Sequence, residues 1–130
     1  MQKEENEQVT LFAWADYAKY IYPELEMMYH VPNEGKRSPR TGARLKQMGL
    51  KSGVPDVVLP VAHGGYFGLY IEMKYGRNTT TVNQKEWLKK LKDAGHLTVI
   101  CYSFEEAKEQ IENYLKMPKT RTGGEDKGNG

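Results

Sequence analysis

Apolar residues recur at the spacing of an α-helix near the start of the chain. Over residues 7–21, positions such as Val9, Phe12 and Tyr20 fall on one face, with polar residues between them. Pro23 follows, and a proline cannot continue a helix because it lacks the backbone N–H. The pattern predicts a first helix that packs one face against a core.

Two further helices are predicted by capping boxes. In this motif a Ser or Thr and a Glu or Gln three positions later satisfy each other's backbone N–H groups. Thr81–Gln84 has this form and opens a predicted helix that ends near Gly95. Ser103–Glu106 has it as well and opens a helix that Pro118 ends. An apolar stripe follows each box, so both helices should pack against a sheet.

Four apolar segments have the length and composition of β-strands. They cover residues 27–31, 57–61, 67–73 and 97–102, and Gly64-Gly65 marks a turn between the second and the third. The second and third segments should form a hairpin, and the helix before the fourth requires a right-handed parallel crossover. This order of elements predicts an α/β fold in which helices flank a mixed β-sheet.

Chain length and composition fit one folded domain. The 130 residues are 38% hydrophobic and 28% charged, which is typical of a soluble globular protein, and no apolar run is long enough for a membrane span. We expect a folded domain over residues 1–117 and a disordered tail over residues 118–130, which are rich in glycine and charge. The single Cys101 should be a buried small hydrophobe. One cysteine and no visible signal peptide favour a reducing, cytoplasmic location.

Positive charge is concentrated in one segment, although the net charge is only +2. Residues 36–51 contain no acid, and their basic side chains are Lys36, Arg37, Arg40, Arg44, Lys46 and Lys51. Residues 32–39 read as a loop, and a short helix is predicted over residues 42–48. A segment of this kind favours binding to a polyanion, with a solvated surface as an equally good alternative.

Three side chains at the predicted hairpin have the chemistry of a phosphodiester-cleaving site. Asp56 precedes the first strand of the hairpin, and Glu72 and Lys74 stand at the end of the second. Side chains alternate along a strand, so Glu72 and Lys74 share a face that Met73 does not. A carboxylate pair binds a hard divalent cation, and a lysine beside it can orient the attacking water. The alternative is a turn aspartate and an exposed surface pair.

Whether Asp56 and Glu72 meet depends on the turn at Gly64-Gly65. A symmetric two-residue turn would place Asp56 opposite Met73, whose side chain points to the other face. An odd-length loop such as residues 63–65, or a bulge, would place Asp56 opposite Glu72 instead. A shared metal site therefore predicts the irregular turn.

The motifs together make the chain similar to the VRR-NUC family of the PD-(D/E)XK nuclease superfamily, over about residues 5–115. The segments that carry the resemblance are Glu7-Gln8, Val31-Pro32-Asn33-Glu34-Gly35, Gly49, Gly53-Val54-Pro55-Asp56, Ile71-Glu72-Met73-Lys74, Gln84 with Trp87 and Leu88, and Gly95. The aspartate and Glu-x-Lys motifs alone are weakly specific, whereas the ordered series is much more specific. The resemblance implies a restriction-endonuclease-like core and DNA cleavage that depends on Mg²⁺ or Mn²⁺.

The resemblance also implies a role for each residue of the hairpin motifs. Asp56 and Glu72 would bind the metal through carboxylate oxygens, and Met73 would contribute its backbone carbonyl. Lys74 would position the nucleophilic water. The metal would polarise the phosphodiester and stabilise the charge of the transition state.

Other matched residues have competing interpretations. Glu7 would be an additional acidic member of the site and a possible metal ligand, or it would only favour the positive end of the first helix. Gln84 would lie at the edge of the site as a catalytic residue, or it would only complete the capping box. Asn33 would contact the substrate, or it would only form a turn. The predicted DNA-binding residues are Asn33, Lys36, Arg37, Arg40, Arg44, Lys46 and Lys51.

The leading hypothesis is a metal-dependent, structure-selective DNA endonuclease. Small stand-alone members of the family, common in phages and bacteria, resemble dimeric Holliday-junction resolvases, so a homodimer acting on branched DNA in a bacterial or phage-infected cell is expected. The aromatic residues of the first helix are the predicted interface, namely Trp14, Tyr17, Tyr20 and Tyr22. The alternatives are a flap or nicking nuclease without junction preference, and a non-catalytic DNA-binding module that keeps the fold.

Overall fold

The computed structural model describes residues 2–32 and 38–121. Within these ranges the helices and strands follow each other in the order that the sequence predicts. The elements are α1 (Gln2–Ala18), β1 (Tyr29–His30), α2 (Pro39–Gln47), β2 (Val57–Leu59), β3 (Leu69–Met73), α3 (Val82–Asp93), β4 (Leu97–Cys101) and α4 (Phe104–Lys116). No helix in these ranges is long and apolar enough to cross a membrane.

The four described strands form one mixed sheet in the order β1-β2-β3-β4. The first three strands pair antiparallel, and β3 pairs with β4 in parallel, as the helix between them requires. The predicted α/β fold with a mixed sheet is therefore confirmed. Both β2 and β3 are almost entirely buried, so they form the centre of the structure.

The main core lies on one face of the sheet. Val57, Ile71 and Val99 point to this face, where they pack with Leu11 of α1 and Ile111 of α4. Most of the fully buried side chains of this face are aliphatic, and burial contributes about 1.5–3 kcal/mol for each large one. Because side chains alternate along a strand, the residues between them point to the opposite face, beside which α3 begins.

Helix α1 ends earlier than its apolar pattern predicts. It ends at Ala18, and Pro23 occupies the first turn of a 3-10 helix over Pro23–Met27. A proline disfavours helical geometry at the residue before it, and Tyr22 accordingly has a φ of −121° and a ψ of 84°. The chain therefore turns between Ala18 and Tyr22, and it delivers the edge strand β1 to the sheet.

The chain stays packed beyond the predicted boundary at Pro118. The Gly64 N–H donates to the Pro118 carbonyl over 2.7 Å, and the Thr120 N–H donates to the Ala62 carbonyl over 3.1 Å. Thr120 is buried in this contact. Residues 118–121 thus belong to the folded part of the chain, while residues 122–130 of the predicted tail lie outside the described residues.

His63 anchors this end of the molecule. Its ring nitrogens lie 2.8 Å from the Met117 carbonyl and 2.7 Å from Glu24 Oε1, and its backbone N–H donates to the Tyr114 hydroxyl over 3.2 Å. Burial raises the pKa of the Tyr114 hydroxyl, so this group stays protonated and donates to the Val61 carbonyl. His63 therefore has a structural role, because it joins the loop before β3 to Glu24 and to the end of α4.

The two predicted capping boxes differ in outcome. Thr81 and Gln84 form a complete box at the start of α3, as predicted. At α4 the Ser103 hydroxyl accepts from the Glu106 N–H, but the Glu106 carboxylate accepts from the Tyr102 N–H over 2.7 Å rather than from Ser103. The second box is therefore only half correct, because a neighbouring backbone donor competes for the same carboxylate.

Candidate active site

The hairpin has the odd register that a shared site requires. Val57 pairs with Ile71 and Val58 with Tyr70 across β2 and β3, so the same register places Asp56 opposite Glu72. The strands pair up to Leu59 and Leu69, which leaves a connection of odd length between them. The prediction of an irregular turn is confirmed, and both carboxylates point away from the main core.

Asp56 is fixed at the start of β2 by bonds to both neighbouring strands. Its side chain is 8% exposed, and Oδ2 accepts a hydrogen bond from the Met73 N–H over 2.8 Å. Its backbone carbonyl accepts from the Val31 N–H over 2.8 Å and lies 3.1 Å from His30 Nδ1. These bonds place the carboxylate at the end of β3, next to Glu72.

Glu72 and Lys74 form a buried pair beside Asp56. The two residues are 2% and 9% exposed, and Lys74 Nζ lies 3.7 Å from Glu72 Oε2. The Lys74 N–H donates to the Cys101 carbonyl over 2.8 Å, which continues the pairing of β3 with β4 past the last strand residue. An ion pair this deeply buried is costly to build without additional hydrogen bonds, so other groups must complete it.

Gln84 completes this pair and also caps α3. Its Oε1 accepts from Lys74 Nζ over 2.7 Å and from the Thr81 N–H over 2.8 Å, while its Nε2 donates to Glu72 Oε2 over 3.0 Å. Gln84 therefore completes the capping box and also lies at the candidate site, while its catalytic role stays a prediction. The amide joins the start of α3 to the lysine and the carboxylate, so it holds both groups in one geometry.

Glu7 has a partner of its own at the start of α4. Its Oε1 accepts from the Phe104 N–H over 2.6 Å, which satisfies a backbone donor of the first helical turn. Within the described residues, no group of three His, Cys, Asp or Glu side chains could hold a metal ion. Glu7 therefore acts as a link between α1 and α4 in this structure, and its part in metal binding stays a prediction.

The remaining donor set fits a small, hard divalent cation. Mg²⁺ in nuclease-type sites is bound by one or two carboxylates, with waters and substrate phosphates as its other ligands. Asp56 and Glu72 supply two carboxylates on adjacent strands, and Met73 lies between Glu72 and Lys74 with its backbone in the site. The residues present fit such an ion, with the Met73 carbonyl as the predicted third ligand.

The basic segment lies directly before Asp56 in the chain. The Ser38 hydroxyl caps α2, and none of the residues of this helix is buried. Its basic side chains Arg40, Arg44 and Lys46 are exposed, as is Lys51. The predicted DNA contacts Asn33, Lys36 and Arg37 lie outside the described residues.

The loop from α2 to Asp56 rests on the start of α3. Gly53 has a φ of +90°, and a Cβ on it would lie 2.8 Å from the backbone carbon of Asn83. The Asn83 amide donates to the Ser52 hydroxyl over 3.2 Å. Only glycine allows both this φ and this approach. Ser52 and Asn83 thus join the basic segment to the helix that carries Gln84, and no sequence pattern indicated either residue.

Comparisons with known proteins agree with this fold. A family model, the VRR-NUC domain, matches residues 2–105. A solved structure described as a VRR_NUC domain protein has 28% sequence identity and a TM-score of 0.79, with 90% of this chain and 91% of that chain covered. No curated protein matches the chain at a significant level. The matched region contains every residue of the candidate site.

Proposed function

Since the chain belongs to the VRR-NUC family of PD-(D/E)XK nucleases, we propose that it is a divalent-metal-dependent, structure-selective DNA endonuclease that acts as a homodimer. The observation that carries this proposal is the hairpin register, which brings Asp56, Glu72 and Lys74 onto one face at the end of β3. Without this register, Asp56 would lie on the opposite face of the sheet from Glu72 and Lys74.

Each residue of the candidate site has a separate role in the proposed reaction. Asp56 and Glu72, with the Met73 carbonyl, would hold Mg²⁺ or Mn²⁺, which supplies Lewis-acid polarisation of the phosphodiester. Lys74 Nζ, held by Gln84 Oε1 at 2.7 Å, orients a water for in-line attack on phosphorus and offsets the developing negative charge. The new bond joins the water oxygen to phosphorus, and the bond to the leaving sugar oxygen breaks.

The exposed basic residues of α2 and its flanking loop would bind the DNA backbone. Phosphate contacts from side chains such as Arg40, Arg44 and Lys51 would give most of the affinity, with a strong dependence on salt. The sequence contains no recognisable base-reading motif, so we favour selection by DNA shape over selection by sequence.

We propose a homodimer because each chain is one small domain with one site. Symmetric incision of a four-way junction needs two such sites. Tyr17 on α1 is 76% exposed, and in the turn after α1 Tyr20 is 82% and Ile21 71% exposed. Trp14 and Tyr22 instead pack partly against the core. The proposed interface therefore narrows to the end of α1 and the turn after it.

The proposed location is the reducing cytoplasm of a bacterial cell or of a phage-infected host cell. Cys101 is buried, and burial, with a smaller contribution from Glu106, raises the pKa of its thiol to about 12. The thiol is therefore a poor nucleophile at neutral pH, which agrees with a packing role.

The proposed substrate selectivity predicts unequal cleavage of different DNAs. With Mg²⁺ present and at equal concentrations, a four-way junction should be cut at least tenfold faster than a linear duplex of the same sequence. A flap and a nicked duplex serve as comparison substrates, and gel electrophoresis of end-labelled strands measures each rate. Sedimentation of the protein on junction DNA should give a dimer.

Other outcomes would favour the alternatives. Faster cleavage of the flap, or sedimentation as a monomer on the junction, would favour a flap or nicking nuclease. Tight junction binding without cleavage of any substrate would favour a non-catalytic DNA-binding module.

A further inference from the structure

The sheet face that carries the candidate site also carries a row of aromatic side chains. Tyr29 pairs with Val58, and Val58 pairs with Tyr70, so the three residues lie side by side across β1, β2 and β3. Val57 and Ile71 belong to the main core, and side chains alternate along a strand. The row therefore faces away from the core, as Asp56 and Glu72 do.

The two tyrosines are close to each other and accessible. Tyr29 is 49% exposed on the edge strand, Tyr70 is partly buried, and Val58 beside them is only 2% exposed. Burial raises the pKa of the Tyr70 hydroxyl, and the nearby Tyr29 adds to the rise. The ring of His96 meets the Tyr70 ring edge-on, with 4.9 Å between centroids. Tyr70 is thus fixed by its neighbours, and Tyr29 extends the aromatic surface toward solvent.

The aromatic row lies next to the carboxylate row. Asp56 and Glu72 are each two residues along their chain from Val58 and Tyr70, a separation of about 7 Å in a strand. If a DNA phosphate lies at Glu72, the base attached to it, or the next base along the strand, can reach the aromatic row. The described part of the basic segment leads to Asp56 through the loop that rests on the start of α3, so its phosphate contacts would border the same surface.

We infer that Tyr29 and Tyr70 form a stacking shelf for an unpaired base of the DNA strand that is cleaved. Aromatic side chains stack on any base, and each stacked base is worth about 1–3 kcal/mol. A base in an intact duplex would first have to leave the helix, at a cost of a few kcal/mol. The shelf therefore favours cleavage where a base is unpaired or leaves its pair at low cost, as at the branch point of a junction or at the base of a flap. This inference rests on the proposed function and names its source of structure selectivity.

Binding measured without a divalent ion tests the shelf separately from cleavage. The probe is a flap DNA with 2-aminopurine placed in turn at each unpaired position, titrated with full-length protein in EDTA. Stacking should quench the fluorescence at one or two positions. Tyr29→Ala should abolish this quenching and raise Kd for the flap by roughly 5- to 100-fold, with the Kd for linear duplex within about twofold of wild type. Tyr29→Phe should keep both the quenching and the affinity.

Phe67→Ala is the matched control. Phe67 is an exposed aromatic residue, at 57%, that lies before the start of β3 and outside the shelf. This variant should bind the flap as wild type does. A structural role of Tyr29 would instead lower the affinities for flap and duplex equally, and that result would overturn the inference.

Two further results distinguish the stacking shelf from a protein interface at β1 and from a failure of the proposed nuclease function. Loss of the dimer in Tyr29→Ala, with flap quenching unchanged, would identify β1 as a protein interface and overturn the shelf. Position-specific quenching by a protein that fails to cleave DNA in Mg²⁺ would support the shelf while contradicting the proposed nuclease.

Discussion

Lys74→Ala is expected to reduce DNA cleavage by about 10²–10⁴-fold while leaving junction binding within about twofold of wild type. Lys74 is 9% exposed and lies between Glu72 and Gln84, so it contributes to the reacting centre and little to the DNA-contacting surface. Single-turnover cleavage at saturating protein measures the chemical step. Gel-shift titration without a divalent ion measures binding.

Two variants separate the chemical role of Lys74 from a structural one. Lys74→Met keeps the aliphatic stem without the charge, and it should be as inactive as Lys74→Ala while unfolding closer to the wild-type temperature. Lys108→Ala is the matched control, because Lys108 lies on α4, where it bonds to Glu112 over 3.2 Å. It should cleave as wild type does. Cleavage by Lys74→Met at the wild-type rate would show that the assigned site is wrong.

Glu72→Gln is expected to abolish the stabilisation of the protein by Mg²⁺ or Mn²⁺. An ion that binds only the folded state stabilises it by about 2.7 kcal/mol at one hundred times its Kd. The amide keeps the size of Glu72, and its oxygen can still accept from Gln84 Nε2, but the variant loses both the charged ligand and the counter-charge of Lys74. Wild type should therefore unfold several degrees higher in saturating Mn²⁺ than in EDTA, whereas the variant should show little difference.

The thermal comparison needs a carboxylate control. Glu112→Gln removes a carboxylate on α4 that pairs with Lys108, and it should keep the full response to Mn²⁺. An equal rise of the unfolding temperature in Glu72→Gln and in wild type would place the metal elsewhere. Cleavage by Glu72→Gln should also fall by two orders of magnitude or more, because the charge that holds the ion is lost.

The sequence predicted the hairpin and the shared face of Glu72 and Lys74 because strand alternation is a local rule. Glu72 and Lys74 share a face whatever the rest of the fold does. The placement of Asp56 was conditional on the loop, and the odd register of Val57 with Ile71 settled it. One residue more or less in that loop would have put the two carboxylates on opposite faces.

Gln84 shows where a local motif leaves a choice open. The capping box was visible in the sequence, but a side-chain amide has both an acceptor and a donor end. The structure uses Oε1 for the Thr81 N–H and for Lys74, and Nε2 for Glu72. The second and third bonds depend on how α3 sits on the sheet, which no local pattern encodes.

Other features could not be predicted because their partners are distant in the chain. The contact of Gly53 with Asn83 and the packing of Thr120 against the hairpin loop join segments with no common motif. The Glu7 carboxylate bonds to the Phe104 N–H across the interface of α1 and α4. Each depends on tertiary packing, whereas the helix starts and strand positions depend on local composition.

The central claim is that the Asp56–Glu72 hairpin cleaves DNA with a divalent metal. The most direct test is cleavage of an end-labelled four-way junction by wild type and Asp56→Ala, each in Mg²⁺ and in EDTA. We predict that wild type cuts in Mg²⁺ and is inactive in EDTA, and that Asp56→Ala is at least about 10²-fold slower in Mg²⁺. Wild-type cleavage in EDTA, or Asp56→Ala cleavage at the wild-type rate, would contradict the claim.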